Sequence, residues 1–172
     1  MTYAVDDRDS VRALVDIPQS CTGAPLPCLV ADESAVHIAY IISNPAPDWD
    51  GTTVNVVGPE TEVDKIAIVS FHRVCAHMFG MPNDEAFDGH PLASRGLEPY
   101  GAFAIDDSSW VRILAKMNSV HPRHTPDSYS HLKHFVLAFH DSTFECVASG
   151  FEVQQTQGSI TQALSVLLDK CE

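Results

Sequence analysis

The segment His134–Val153, HFVLAFHDSTFECVASGFEV, restricts the fold more than any other part of the chain. Two apolar arms flank His140-Asp141-Ser142-Thr143, the pattern of an antiparallel hairpin. Side chains alternate faces along a strand. With Asp141-Ser142 as a two-residue turn, His140 faces Thr143 and Ala138 faces Glu145. Phe135, Leu137, Phe139, Phe144, Cys146 and Ala148 then share one apolar face, and Cys146 reads as a small buried hydrophobe. His134, Val136, Ala138, His140, Thr143, Glu145 and Val147 share the other. That face is small and polar, suited to lining a pocket or meeting water.

The rest of the chain extends this β-rich reading. Cys28–Ile42 predicts a second hairpin turning at Asp32-Glu33-Ser34. Lys65–Phe79 is β-branched and aromatic without Gly or Pro. It is too long for one ordinary strand, so a bulge, bend or break is expected within it. Ser43–Gly51 reads as a loop, and Thr52–Val57 and Ala102–Ile105 as short strands. Gly80–Gly101 is a long irregular loop with one helical turn over Pro91–Arg95, stopped by Gly96.

Three helices are expected. The first lies in Asp6–Ile17, where Val11, Leu14 and Val15 have helical spacing. The second follows a Ser108 or Ser109 cap, with Trp110, Ile113, Leu114 and Met117 as its apolar stripe. The third opens with a Ser159/Gln162 capping box. No βαβ alternation occurs. The expected fold is therefore α+β: one domain over 1–172, with a mainly antiparallel, curved sheet and three short helices packed on one side. A β-barrel or cupin-like sandwich is the alternative.

Charge narrows the partners. The net charge is −13 with histidines neutral, which argues against a nucleic-acid partner, since those require a clustered basic face. No apolar run reaches membrane-span length, and the acidic N-terminus lacks a signal-peptide core. Five cysteines, without a CxxC pair, point to reduced thiols and a cytoplasmic protein. Exposed edges of an antiparallel sheet make a homodimer plausible.

Absent motifs prune the chemistry. The chain has no GxGxxG, Walker A, GxSxG or HExxH pattern. HxH-plus-Glu spacing for a strand-borne metal is missing too, so no metal ligands are assigned and no cofactor is identified. Nine histidines remain, in a residue type suited to proton transfer near neutral pH. His134 and His140 lie roughly 20 Å apart along one strand, too far to share a metal. His140 and Glu145 become diagonal cross-strand neighbours, roughly 6–8 Å between Cα atoms. A carboxylate fixing one imidazole nitrogen makes the other a better base.

The expected site therefore has His140 as acid/base, Glu145 as its orienting partner and His90, from the Gly80–Gly101 loop, as a third catalytic group. His37, Thr143, His134 and Arg73 are its binding residues. His37 enters because Ala35, His37 and Ala39 form a small-residue face. His121-x-x-His124 is too sparse for zinc. The expected function is a small-molecule-binding protein or enzyme for proton transfer, isomerisation, elimination or hydrolysis, with metal assistance conceivable. The alternative is a non-catalytic acidic interaction protein of inhibitor or immunity type.

Overall fold

The computed structural model describes residues 3–43 and 56–168. Most of the expected loop at 43–51 and strand at 52–57, and Cys171, lie outside the described residues. Among the described residues the fold is α+β with only antiparallel strand pairs.

The first departure from expectation is at the N-terminus. Ser10–Ala13 is strand β1, not a helix. It pairs with β6 (Ala102–Asp106), setting Ser10 opposite Asp106 and Ala13 opposite Phe103. Leu14 N–H continues this pairing by donating to the Ala102 carbonyl at 2.8 Å. A four-residue segment carries too little pattern to decide its own conformation, and the neighbouring strand decides it. Val15, counted in the helical stripe, is 91% exposed.

The strands make two sheets instead of one. In the first the order is β1, β6, β7 (Lys133–Ala138), β8 (Thr143–Ala148) and β5 (Ala76–Gly80). In the second it is β2 (Cys28–Ala31), β3 (Ala35–Ile41), β4 (Val63–His72) and β9 (Gly150–Gly158). Neither sheet closes into a barrel among the described residues. The sheets face each other across a core that includes Val36, Ile38, Tyr40 and Phe71 from one and Phe135, Leu137, Phe144 and Cys146 from the other. Phe71 sits at its centre, with ring centroids 5.4 Å from both Phe135 and Phe144.

The expected break in Lys65–Phe79 falls at Arg73, whose φ is 52°. There the chain leaves the second sheet as β4 and enters the first as β5. The long C-terminal run breaks at the same level. Ser149 N–H donates to the His72 carbonyl, and β8 of the first sheet gives way to β9 of the second.

Helices cover the two outer faces separately, not one side together. On the first sheet, α1 (Ser109–Asn118) packs with the Gly80–Gly101 loop and the N-terminal segment; Tyr3, Phe87, Leu92, Leu97 and Trp110 are buried there. Within the loop, two short helical turns run Phe87–Gly89 and Ala93–Arg95, the second ending at Gly96 with φ 99°. The Ser108 hydroxyl caps α1 by accepting from Trp110 and Val111 N–H, but Met117 is 67% exposed, outside the apolar stripe.

On the second sheet, α2 (Ile160–Leu168) covers Ala39, Ile41, Ile66 and Ile68. Its capping box is formed: Ser159 N–H donates to Gln162 Oε1 at 3.1 Å and Gln162 N–H to Ser159 Oγ at 3.2 Å. Gly158 is required before it, because its φ is 120° and a Cβ there would lie 2.1 Å from Gln162 Oε1. Among the described residues two α-helices thus replace the expected three.

Candidate functional site

The hairpin faces were read correctly from alternation, but its register is shifted. Val136 lies opposite Glu145, and Ala138 opposite Thr143. Phe139 N–H donates to the Ser142 carbonyl at 2.8 Å, so Phe139–Ser142 forms the turn. His140 therefore leaves the ladder, and the expected His140–Glu145 contact does not form. The diagonal partner of Glu145 is His134, two residues before Val136. Two separate histidine–carboxylate clusters result.

The first is buried on the outer face of the first sheet. Glu145 is 4% exposed, His90 3% and His134 0%. Glu145 Oε2 lies 2.9 Å from His134 Nε2 and accepts from the Tyr3 hydroxyl at 2.5 Å, while Oε1 lies 3.2 Å from His90 Nε2. The outer ring nitrogens assign the tautomers. His90 Nδ1 accepts from Leu92 N–H at 3.1 Å, so its Nε2 carries the proton and donates to Glu145. His134 Nδ1 lies 3.0 Å from Ser108 Oγ, which already accepts from Trp110 N–H. Ser108 donates to His134, and His134 Nε2–H donates to Glu145.

Three donors therefore converge on one carboxylate, and the chain of bonds runs on to the cap of α1. Burial pushes the Glu145 carboxyl up, but the hydrogen bonds from His134 and His90, with that from Tyr3, outweigh it and hold the group at about 2. Burial, and then the Glu145 charge, push the Tyr3 phenol up, so it remains a donor. Tyr3 stacks on Trp110 at 5.3 Å, and both rings meet His134 edge-on. The Gly80–Gly101 loop fills the space over this cluster with Phe87, His90, Leu92 and Leu97.

The second cluster is on the surface, at the hairpin tip. His140 Nδ1 lies 2.9 Å from Asp84 Oδ2 and 3.0 Å from the Tyr100 hydroxyl oxygen. The Tyr100 hydroxyl donates to Asp84, so the Nδ1 proton belongs to His140 and is shared between those two oxygens. The Tyr100 ring stacks on the imidazole with 14° between planes. Nε2 is the remaining basic nitrogen, 4.0 Å from Asp141 Oδ1, and the side chain is 39% exposed.

The Asp84 hydrogen bond raises the His140 pKa above its ordinary value. Asp84 is lowered, first by Tyr100 and also by His140, while its bond pushes Tyr100 up to about 12. The backbone fixes the pair, since Asp84 N–H donates to the His140 carbonyl at 2.9 Å. Tyr100, with φ 62°, also borders an open cleft of about 250 Å³ together with Leu14, Ile17, Glu98 and Gly101.

The other expected residues are dispersed. His37 is buried on the second sheet with Nδ1 2.8 Å from Ser70 Oγ. It faces away from the intersheet core and cannot join either cluster on the first sheet. Thr143 lies on the predicted face but its hydroxyl donates to the Pro82 carbonyl at 2.8 Å. Arg73 belongs to the turn after β4 and is exposed, so strand parity does not apply to it. His121 Nδ1 accepts from Arg123 N–H, and His124 Nδ1 lies 3.2 Å from Asn118 Nδ2. Among the described residues no three His, Cys, Asp or Glu side chains are grouped to hold a metal ion.

Tyr3, Ser108, Tyr100 and Asp84 are not among the expected site residues. Their partners lie 142, 26, 40 and 56 residues away in sequence, and no local spacing marks them. No protein-family model, curated protein or solved structure matches the chain.

Proposed function

We propose that the chain binds a small molecule beside Tyr100 and moves a proton with His140. Asp84 is the orienting partner, and Glu145 and His90 act structurally. The carrying observation is the geometry at His140. One nitrogen is fixed by Asp84 at 2.9 Å under a stacked tyrosine, while the other remains on a partly exposed ring. A carboxylate that stabilises the imidazolium while fixing its tautomer prepares Nε2 as a base in one step and, once protonated, as an acid in the next. Tyr100 links the dyad to the 250 Å³ cleft, where Leu14 and Ile17 supply apolar walls and Glu98 a carboxylate. This supports proton transfer as used in isomerisation, elimination or hydrolysis.

The test is a fragment screen read by NMR, followed by turnover assays on the fragments' parent compounds. Binders should shift the His140 ring signals, and His140→Ala and Asp84→Asn should abolish turnover with little change in Tm. Full turnover in both variants would end the proposal.

One observation favours a second reading, an acidic interaction protein. Arg8, Arg12, Arg95 and Arg112 are engaged by Asp107, Asp106, Asp7 and Asp6. Internal pairing of these cations concentrates the remaining acidity toward a basic partner. Complex formation that weakens steeply with salt and persists in His140→Ala would support it.

A further inference from the structure

One serine hydroxyl is buried at the edge of the core between the sheets. The segment before β2 runs beside the end of β3, where Ser43 N–H donates to the Gln19 carbonyl and Cys21 N–H to the Ile41 carbonyl, both at 2.9 Å. Ser20 is thereby set opposite Ile42, and residues opposite each other on antiparallel strands share a face. Ile42 belongs to the intersheet core together with Ile17, Tyr40 and Phe139. Ser20 is 3% exposed, and its Oγ has no hydrogen-bond partner among the described residues. The neighbouring carbonyls of Pro18 and Gly101 are already engaged, by the Tyr40 hydroxyl at 2.6 Å and Ala138 N–H at 2.9 Å. Buried polar groups are ordinarily hydrogen-bonded, so an exception calls for an explanation.

Ser20 lines a narrow chamber with free space of about 10 Å³, the lower limit for one water-sized group. Tyr40, Leu137 and Phe139 line it too. Its border with the 250 Å³ cleft is shared, because Ile17, Tyr100, Gly101 and Ala102 line both. Gly101 adds no side chain to that border, and the chamber is the cleft's inward neighbour. We infer that the cleft admits a small uncharged alcohol whose hydroxyl seats in the chamber against Ser20, an assignment that rests on the cleft being the ligand site proposed for it.

The lining selects the group. No Asp, Glu, Lys, Arg or His lines the chamber, so an ammonium or carboxylate tip would lose its hydration there without a counter-charge. A methyl tip would leave Ser20 unpaired. Tyr40 spends its proton on the Pro18 carbonyl and offers only an acceptor, whereas Ser20 can donate or accept. A hydroxyl matches this pair, accepting from Ser20 and having a proton of its own to give; a carbonyl oxygen can only accept. The carbon stem suits the apolar walls at Leu14 and Ile17, and Glu98 in the outer cleft can accept from a second hydroxyl. Water carries the same O–H chemistry, and the test separates the two sources.

The full chain is titrated with n-propanol and followed by NMR. The Ser20, Gly101 and Ala138 amide signals should shift together and saturate, while propionate and propylammonium at the same concentrations leave them in place. Ser20→Ala should weaken n-propanol binding about fivefold, the loss of one hydrogen bond, without lowering Tm. The comparison of the three probes is made on wild type and does not depend on the variant folding. An equal response to all three probes, or n-propanol binding unchanged in Ser20→Ala, would overturn the proposal. So would a water signal at Ser20 that n-propanol does not displace, which assigns the chamber to water alone. Ser20-dependent n-propanol binding alongside full turnover in His140→Ala would uphold this site while ending proton transfer at His140. No n-propanol binding, with turnover lost in His140→Ala, would do the reverse.

Discussion

Glu145 and Asp84 each hold a histidine at 2.9 Å, yet the two contacts differ in kind. Glu145 is enclosed, and its donors form a chain of bonds running from Tyr3, His90 and His134 to Ser108 and Trp110. It ties the N-terminal segment, the Gly80–Gly101 loop and the start of α1 to the middle of the first sheet. Asp84 and His140 lie at a loop tip, where water competes for every bond. The comparison separates two uses of one residue pairing. Buried and satisfied on every side, it has no spare nitrogen for chemistry and fixes segments in place. Half-exposed, it contributes little to stability and leaves one ring nitrogen available.

The sharpest way to break the comparison is to remove the buried acceptor, Glu145. Glu145→Ala strands two imidazole N–H groups and a phenol without partners, and it should cost about 3–5 kcal/mol, measured by urea unfolding. Tyr3→Phe deletes one hydrogen bond to a charged acceptor and should cost about 1.5–3 kcal/mol.

Acid provides the next test. The Glu145 carboxyl is depressed from its ordinary 4.5 to about 2, so the folded state binds its proton less readily than the unfolded chain. Its contribution is complete above the unfolded value and declines as pH falls from about 4.5 toward 2. Wild type should lose stability in that window, and Glu145→Gln should flatten the slope there.

At the surface the expected effects on stability are smallest. Asp84→Asn and His140→Ala should leave Tm nearly unchanged. Asp84→Asn should lower the His140 titration midpoint followed by NMR, because the raised value comes first from the Asp84 hydrogen bond. The His140 contact is sign-reversed relative to Glu145: its contribution is present below the unfolded histidine value and fades as pH rises through the higher folded one. If Asp84→Asn destabilises the chain as much as Glu145→Ala, the two clusters are not different in kind.

Patterning made much of the fold legible. The two hairpins, the Ser108 cap, the Ser159/Gln162 box and the need for a break in Lys65–Phe79 all rest on local periodicity or local hydrogen bonding. So do the hairpin faces: Phe135, Leu137, Phe144 and Cys146 do enter the core, and His134 and Glu145 do share the opposite face. Register rests on turn geometry instead. Phe139 keeps its core-facing side chain although the ladder has already ended, which disguised a four-residue turn as a two-residue one. That difference moved the partner of Glu145 from His140 to His134. Tyr3, Asp84 and Tyr100 are hidden for another reason, since their contacts join segments distant in sequence that no local pattern links. β1 was misread because Val11 and Leu14 serve different cores on opposite sides of their sheet, a division that imitates helical spacing.

The crossing at Arg73 and Ser149 has a mechanical consequence. β4 pairs with β9 in one sheet, and β5, the continuation of β4, pairs with β8, which leads into β9, in the other. The four segments are therefore one antiparallel ribbon bent through a corner, with Ser149 and Cys75 N–H donating to His72 and Val147 carbonyls at the bend. Prying the sheets apart would unzip this ribbon from its fold outward, so neither half has an independent hinge. Slow amide exchange in β4 and β8 should share one opening free energy, and a chain nicked at Ser149 should lose that common value.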